Sequence, residues 1–298
     1  MEEKIIISLR DVLLTRRPLE DLPEIVWERV GALNTWGTNA MEGNTLTLPE
    51  VQTVLLDNQS VNRPVNDVLE TIQHQKAFKG LLQRRSQPIT LTTVLELHEM
   101  VFKGVFVDAG QWRTYNVTIR GAKHTPPRAE KVVPRLEKWT KEYAKRDLAG
   151  ESVFTLGAWM HQEFESIHPF RDGNGRVGRL LLNLHFLKHN WPPVHVSMTV
   201  KKPYYRHLEN AGEGSSKGLV SFLEMLTAQS LLDLLDQLGT KEDELKPLKA
   251  FDTYSPKYLS IRIRAGELPG VLVKGDWHTS RRALKVYQEV FGRNGTEK

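Results

Sequence analysis

"HPFRDGNGRVGR", residues 168–179, sets three glycines, three arginines, a histidine, an aspartate, an asparagine and a proline between two apolar stretches. "FTLGAWMHQEFESI" before it and "LLLNLHFLKH" after it both have helical period, so the twelve residues form a tight charged loop joining two helices. A helix entered near Arg176 presents unpaired N–H groups and a positive dipole end, which attract anions. Gly173 and Gly175 permit the positive φ and close approach of an N–H nest. Arg176 and Arg179, three apart, share a face and suit several phosphates in a row. Asp172 is a hard oxygen ligand placed for a phosphate-bound Mg2+, and His168 is the one group here able to act as a base near neutral pH. The pattern predicts a nucleotide polyphosphate site with a base beside it.

The remaining sequence narrows the class. With 298 residues, 40% hydrophobic and 26% charged, the composition is that of a soluble globular protein with a sizeable core. There is no cysteine, which excludes disulfides and thiolate metal sites. "MEEKIIISLRD" lacks the pattern of a signal peptide, and no uninterrupted apolar run reaches the roughly 18 residues of a membrane span, so the expected location is cytoplasmic. Helical period recurs in residues 23–41, 63–85, 92–102 and from Pro134 to about 238. Thr47 and Glu50 form a predicted capping box before "VQTVLL". "RTYNVTI", bounded by Gly and Pro-Pro, predicts a β-hairpin or flap within residues 110–133. "LGTKEDELKPLKA" (238–250) is charged and apolar-poor, a candidate linker. Beyond it, a short helix opened by Ser255 and Pro256, a two-stranded turn in "VLVKGDWHT" and a final helix predict a small second domain.

The loop residues His168, Phe170, Asp172, Gly173, Asn174, Gly175, Arg176 and Arg179 fill the signature His-x-Phe-x-(Asp/Glu)-Gly-Asn-Gly-Arg-x-x-Arg, and the chain resembles the Fic family over roughly residues 25–230. The resemblance implies a mainly α fold, a helical bundle with a β-hairpin flap, and transfer of AMP from ATP to a protein hydroxyl. It implies His168 as the base and Asp172 as the Mg2+ ligand. Gly173, Asn174 and Gly175 would hold the α/β-phosphates, Arg176 support them and Arg179 take the γ-phosphate. Phe170 would be the buried anchor, and Gly178 would join the ATP-binding stretch. Tyr204 and Tyr205 fall at the adenine pocket, and Thr118, Ile119, Arg120 and Gly121 at the flap that aligns the target. Gly173 and Gly175 together favour AMP over phosphate transfer.

"TNAMEGN" (38–44) matches the family's inhibitory signature (Ser/Thr)-x-x-x-Glu-(Gly/Asn). Thr38 and Glu42 lie four apart on one helical face, and Gly43 ends the helix. A Glu at a helix C-terminus opposes the dipole, and a bidentate Arg compensates. The resemblance names Arg179 as that partner, leaving it unable to grip a γ-phosphate. Removal of AMP by the same residue stays open. So does a regulator whose loop only senses nucleotide.

The expected domains are N-terminal helices with the inhibitory motif (1–60), a catalytic domain (61–237), the linker (238–250) and a basic module (251–298). The module resembles an excisionase-like winged helix-turn-helix. Within residues 255–293, Lys257, Arg262, Arg264, Lys274, Arg281, Arg282, Lys285 and Arg293 stand against only Glu267, Asp276 and Glu289. Arg262, Arg264 and Lys274 are the candidate DNA contacts, with a basic protein-docking face as the competing reading. His185 and His189, at metal-ligand spacing but without a third ligand, are expected to be helix-face residues. The implied cofactors are ATP and Mg2+, and the implied partners are a target protein, duplex DNA or protein at the module, and a candidate second copy of the chain.

Overall fold

The computed structural model describes residues 1, 3–119 and 124–292. Two compact units emerge: Trp27–Val220, and Met1–Val26 together with Ser221–Lys298. This differs from the expected division. Residues 38–44 belong to the unit that carries the loop, whereas the first helix, α1 (Glu3–Arg16), belongs with the C-terminal segment.

The larger unit is helical. Its elements are α2 (Glu24–Met41), α3 (Leu48–Leu55), α4 (Val65–Arg84), α5 (Leu91–Phe102), α6 (Val132–Leu148), α7 (Val153–Ile167), α8 (Asn174–Lys188) and α9 (Lys201–Gly212). Every residue of α8 from Arg176 to Leu187 is buried, which makes it the central helix, packed by α4, α5 and α7. Helix starts follow their sequence signals: Glu50 reaches back to accept the Thr47 N–H at 2.9 Å, closing the capping box before α3. His185 lies in the core, bonded to the Tyr143 hydroxyl and the Val153 carbonyl, and no cluster of three metal-ligating side chains occurs among the described residues.

No strand pairing occurs among the described residues of the flap, 111–119 and 124–128. The expected hairpin is replaced by two extended arms whose backbone groups are taken elsewhere. The Arg113 guanidinium holds carbonyls of both arms, the Asn116 side chain accepts from the Ala129 N–H, and Pro126 and Pro127 lack the N–H a ladder needs.

In the smaller unit, α10 (Lys217–Leu238) enters from Ser221 onward, followed by β1 (Lys246–Pro247), α11 (Pro256–Arg264), β2 (Val271–Val273), β3 (Asp276–Thr279) and α12 (Arg281–Phe291). By length and composition α10 could cross a membrane, though more than half of its apolar window is buried within the protein. The antiparallel order is β1-β3-β2, with Lys246 opposite Thr279 and Leu272 opposite Trp277. Lys274 and Gly275 turn between β2 and β3 with φ of 50° and 93°, the positive pair that a two-residue hairpin turn requires. Ser255 and Ser280 cap α11 and α12 as their sequence positions predict. Leu248, Phe251, Tyr254, Leu259, Ile263, Leu268, Leu284 and Tyr287 form one core.

Residues 238–250 are therefore not a loose linker. Asp243 is fully buried and accepts from Arg16 at 2.7 Å, from Arg282, and from the Thr240 N–H and hydroxyl. Burial works to raise its pKa, but the two guanidinium groups and the Thr240 donors prevail and hold it at about 2. β1 lies in the same stretch, and α1 packs on α12. The charge density that suggests solvation is instead internal pairing.

Candidate active site

The loop leaves α7 at His168, whose φ of 50° is left-handed. Such a conformation is unfavourable for a side chain with a Cβ and persists only where neighbours enforce it. Here the His168 N–H donates to the Phe164 carbonyl at 3.0 Å and its own carbonyl accepts from Arg113 Nε at 2.8 Å. The ring Nδ1 faces the Glu165 carbonyl at 3.3 Å; with the proton there, Nε2 is left with its lone pair. Burial pushes the imidazole pKa below its usual value, and the Arg113 charge acts in the same direction. His168 is a neutral imidazole at pH 7.

Phe170 is fully buried and stacks on His98, with ring centroids 3.8 Å apart, and on Trp112. Asn174 is spent on this anchor: its Oδ1 accepts the Phe170 N–H at 2.8 Å and its Nδ2 donates to the Phe170 carbonyl at 3.0 Å. Both ends of the Asn174 amide thus close the loop, which leaves its main-chain N–H, in the first turn of α8, as the group that can face an anion. Gly173 begins α8 at φ 81°, and a Cβ there would lie 2.1 Å from the Phe102 ring. No other residue fits.

Asp172 is exposed and its Oδ1 accepts from the Gly173 N–H. Arg176 is buried over the Phe102 ring, 2.8 Å from Glu70 and 3.5 Å from Asp172. It braces the loop against α4 rather than standing open to phosphate. Gly178 likewise faces α7: a Cβ would meet Glu165 at 2.3 Å. It is a close-packing glycine, not a ligand contact. Burial lifts the Glu165 carboxyl to about 7.

Arg179 is held by the predicted pair. Its Nε donates to the Thr38 hydroxyl at 2.6 Å, and its Nη2 to Glu42 Oε1 at 2.6 Å. Burial pushes the Glu42 carboxyl up, but Arg179, with Arg176 and Lys201 beyond, outweighs this and holds it below the usual carboxylate range. Gly43, at φ 95°, ends the helix just after it. A Cβ on Gly175 would come within 2.6 Å of Glu42 Oε1, so this carboxylate lies against the first turn of α8, where a phosphate would bind. Lys201 Nζ donates to the Met41 carbonyl at 2.7 Å, tying α9 to the end of α2.

Tyr204 is fully buried, its hydroxyl 2.6 Å from His161 Nε2, whereas Tyr205 is 41% exposed. Thr118 is exposed and Ile119 half-buried on the flap arm, while Arg120 and Gly121 lie outside the described residues. Sequence reasoning missed His98, Glu70, Lys201 and Arg113. His98 accepts the Gly110 N–H and contacts the Asp172 carbonyl at 3.2 Å, a bridge from flap to loop. Burial lowers its pKa to about 4, which keeps it neutral.

A buried aromatic anchor, a left-handed base and a glycine-lined helix start are therefore joined in one loop. Residues 88–186 match the Fic/DOC family. The protein adenylyltransferase Fic of Drosophila grimshawi is 31% identical over 261 residues, 85% of this chain and 50% of that protein. Among solved structures, a Caenorhabditis elegans Fic-1 fragment is 25% identical with a TM-score of 0.68, covering 78% of this chain and 70% of its own. A Fic domain-containing signalling protein of Bacteroides thetaiotaomicron, 21% identical, shares the fold with a TM-score of 0.70 over 78% of this chain and 96% of its own. The chain spans about half the length, or less, of the curated Fic relatives it matches. The Fic match contains the whole of α5, α6 and α7, the loop and most of α8; Thr38 and Glu42 precede it.

Proposed function

We propose that the chain transfers AMP from ATP to a hydroxyl of a target protein, and that Glu42 restrains the reaction. The observation that carries this is the position of Glu42: its carboxylate lies against Gly175 and on Arg179, beside a neutral His168. An anion site and a base adjoin, and the chain supplies its own competing anion. The name protein adenylyltransferase borne by the relatives supports the same reading.

In the proposed step the target O–H proton passes to His168 Nε2 while its oxygen bonds to the α-phosphorus. The bond from that phosphorus to the oxygen bridging to the β-phosphate breaks, and pyrophosphate leaves. First-turn N–H groups of α8 receive the phosphate charge. Arg179 takes the γ-phosphate once Glu42 withdraws. Asp172, an exposed oxygen donor at the loop mouth, fits one position around a phosphate-bound Mg2+, whose other ligands would be phosphate and water. That ion, when bound, neutralises phosphate charge. The test is incubation of the Glu42→Gly chain and a lysate with ATP carrying label on the α-phosphate, with γ-labelled ATP run in parallel. Protein-bound label supports AMP transfer; label arriving only from the γ-phosphate, or none, overturns it.

We further infer that the smaller unit binds duplex DNA. Of its bases, Arg262 is taken by Glu267 and stacked on Tyr258, and Arg282 by Asp243 and Glu242. Lys257, Arg264, Lys274, Arg281 and Lys285 are exposed and support a phosphate-binding face. Four phosphate contacts would give log affinity a slope against log salt of roughly −3 to −4. Arg264→Ala with Lys274→Ala should reduce that slope. No salt-sensitive shift with any duplex at low ionic strength would make the face a protein-docking surface instead. Point variants suit this test better than truncation near residue 240, since removing Asp243 would strand Arg16.

A further inference from the structure

Arg113 is 4% exposed, yet every hydrogen-bond partner it has among the described residues is a main-chain carbonyl. Nε donates to His168 at 2.8 Å, Nη1 to Tyr115 at 2.9 Å, and Nη2 to Pro127 at 2.5 Å and Ile167 at 3.5 Å. Its own N–H donates to the Pro169 carbonyl at 3.0 Å. Tyr115 lies on the arm that enters the flap and Pro127 on the arm that leaves it. Ile167 and His168 are the last carbonyls of α7, where a cation complements the helix dipole.

A buried guanidinium without a carboxylate is costly, and burial indeed lowers its pKa. The planar fork explains why an arginine occupies the place. Its N–H donors diverge in fixed directions, so one group can hold three segments in a single geometry. An ammonium on a flexible stem has no such reach. One of the carbonyls it holds belongs to His168, whose left-handed backbone needs an external restraint.

We propose that Arg113 is a positioning residue for AMP transfer, fixing the main chain of His168 and both arms of the flap as one piece. The inference rests on His168 being the base and the flap presenting the target. It places target hydroxyl and base in register, while the groups that meet ATP phosphates, at Gly173–Gly175 and Arg179, are not in contact with Arg113. A displacement of about 1 Å at a reacting group is enough for about a 100-fold loss.

The test uses the full chain with Glu42→Gly as parent, and adds Arg113→Lys or Arg113→Met. Both additions should lower kcat about 10- to 100-fold while KM and directly measured affinity for ATP stay within about twofold. Failure of the lysine to rescue marks the fork, not the charge, as the requirement. Amide hydrogen exchange gives a readout independent of transfer. In Arg113→Met, peptides covering 111–119 and 164–170 should lose protection together, whereas a local role in the flap would free only the first. Unchanged kcat, an equal loss of ATP affinity, or loss of protection in one peptide alone overturns the proposal. If the parent transfers no AMP, the transferase reading fails instead, and joint loss or retention of protection still decides for or against Arg113.

Discussion

His168→Ala should lower AMP transfer by about 10²- to 10⁴-fold and leave ATP binding in place. A positioned general base contributes about 10²- to 10⁴-fold, and removing it leaves the N–H groups of α8 and Arg179 untouched. Equilibrium binding of ATP together with transfer of α-label separates the two effects. Undiminished transfer by the variant would remove His168 from the mechanism. The pH dependence follows in sign. Burial and the nearby Arg113 charge lower the imidazole pKa, so the base stays neutral below the ordinary histidine value. The rate of the wild-type chain should therefore hold as pH falls through 6.5, the reference histidine value, and decline only at lower pH as Nε2 is protonated.

Glu42→Gly raises transfer by about 10- to 150-fold. The charge-assisted contact at 2.6 Å occupies Arg179, and releasing it to a γ-phosphate is worth on the order of 1.5–3 kcal/mol. Clearing the carboxylate from beside Gly175 adds space for phosphate in the same step. Labelling of the chain itself and of a lysate measures the effect. Equal labelling by wild type and variant would rule out self-restraint through this residue. The Arg179–Thr38 contact should persist in the variant, because it depends on the threonine hydroxyl and carbonyl and not on Glu42.

The loop geometry and the placing of Thr38 and Glu42 on one helical face were legible because their chemistry is local. Gly173 must take positive φ, Phe170 must anchor, and Thr38 and Glu42 share a helical face four residues apart. Arg179, however, was linked to that pair only through the family resemblance, since 137 residues separate it from Glu42. Side-chain contacts across the fold were not legible: Arg176 meets Glu70 from α4, and the Tyr204 hydroxyl meets His161. Arg113 gave no signal because its acceptors are carbonyls, which carry no side-chain identity. The same reason explains the supposed linker: charge in 238–250 reads as solvated until Arg16 and Arg282, from far ends of the chain, close on Asp243.

On the proposed restraint, the competing anion is never diluted, since Glu42 and Arg179 lie in one compact unit of one chain. Its effective concentration is set by the fold, so restraint per molecule is the same in a cell making few copies or many. Making more of the protein therefore scales only the small residual rate. Only a ligand or partner that binds the released state more tightly than the restrained one changes the fraction of active molecules. ATP alone gains that advantage only through the γ-phosphate contact to Arg179, the very place Glu42 holds. The concentration of a second binder, not that of the enzyme, is then the quantity to which the output responds.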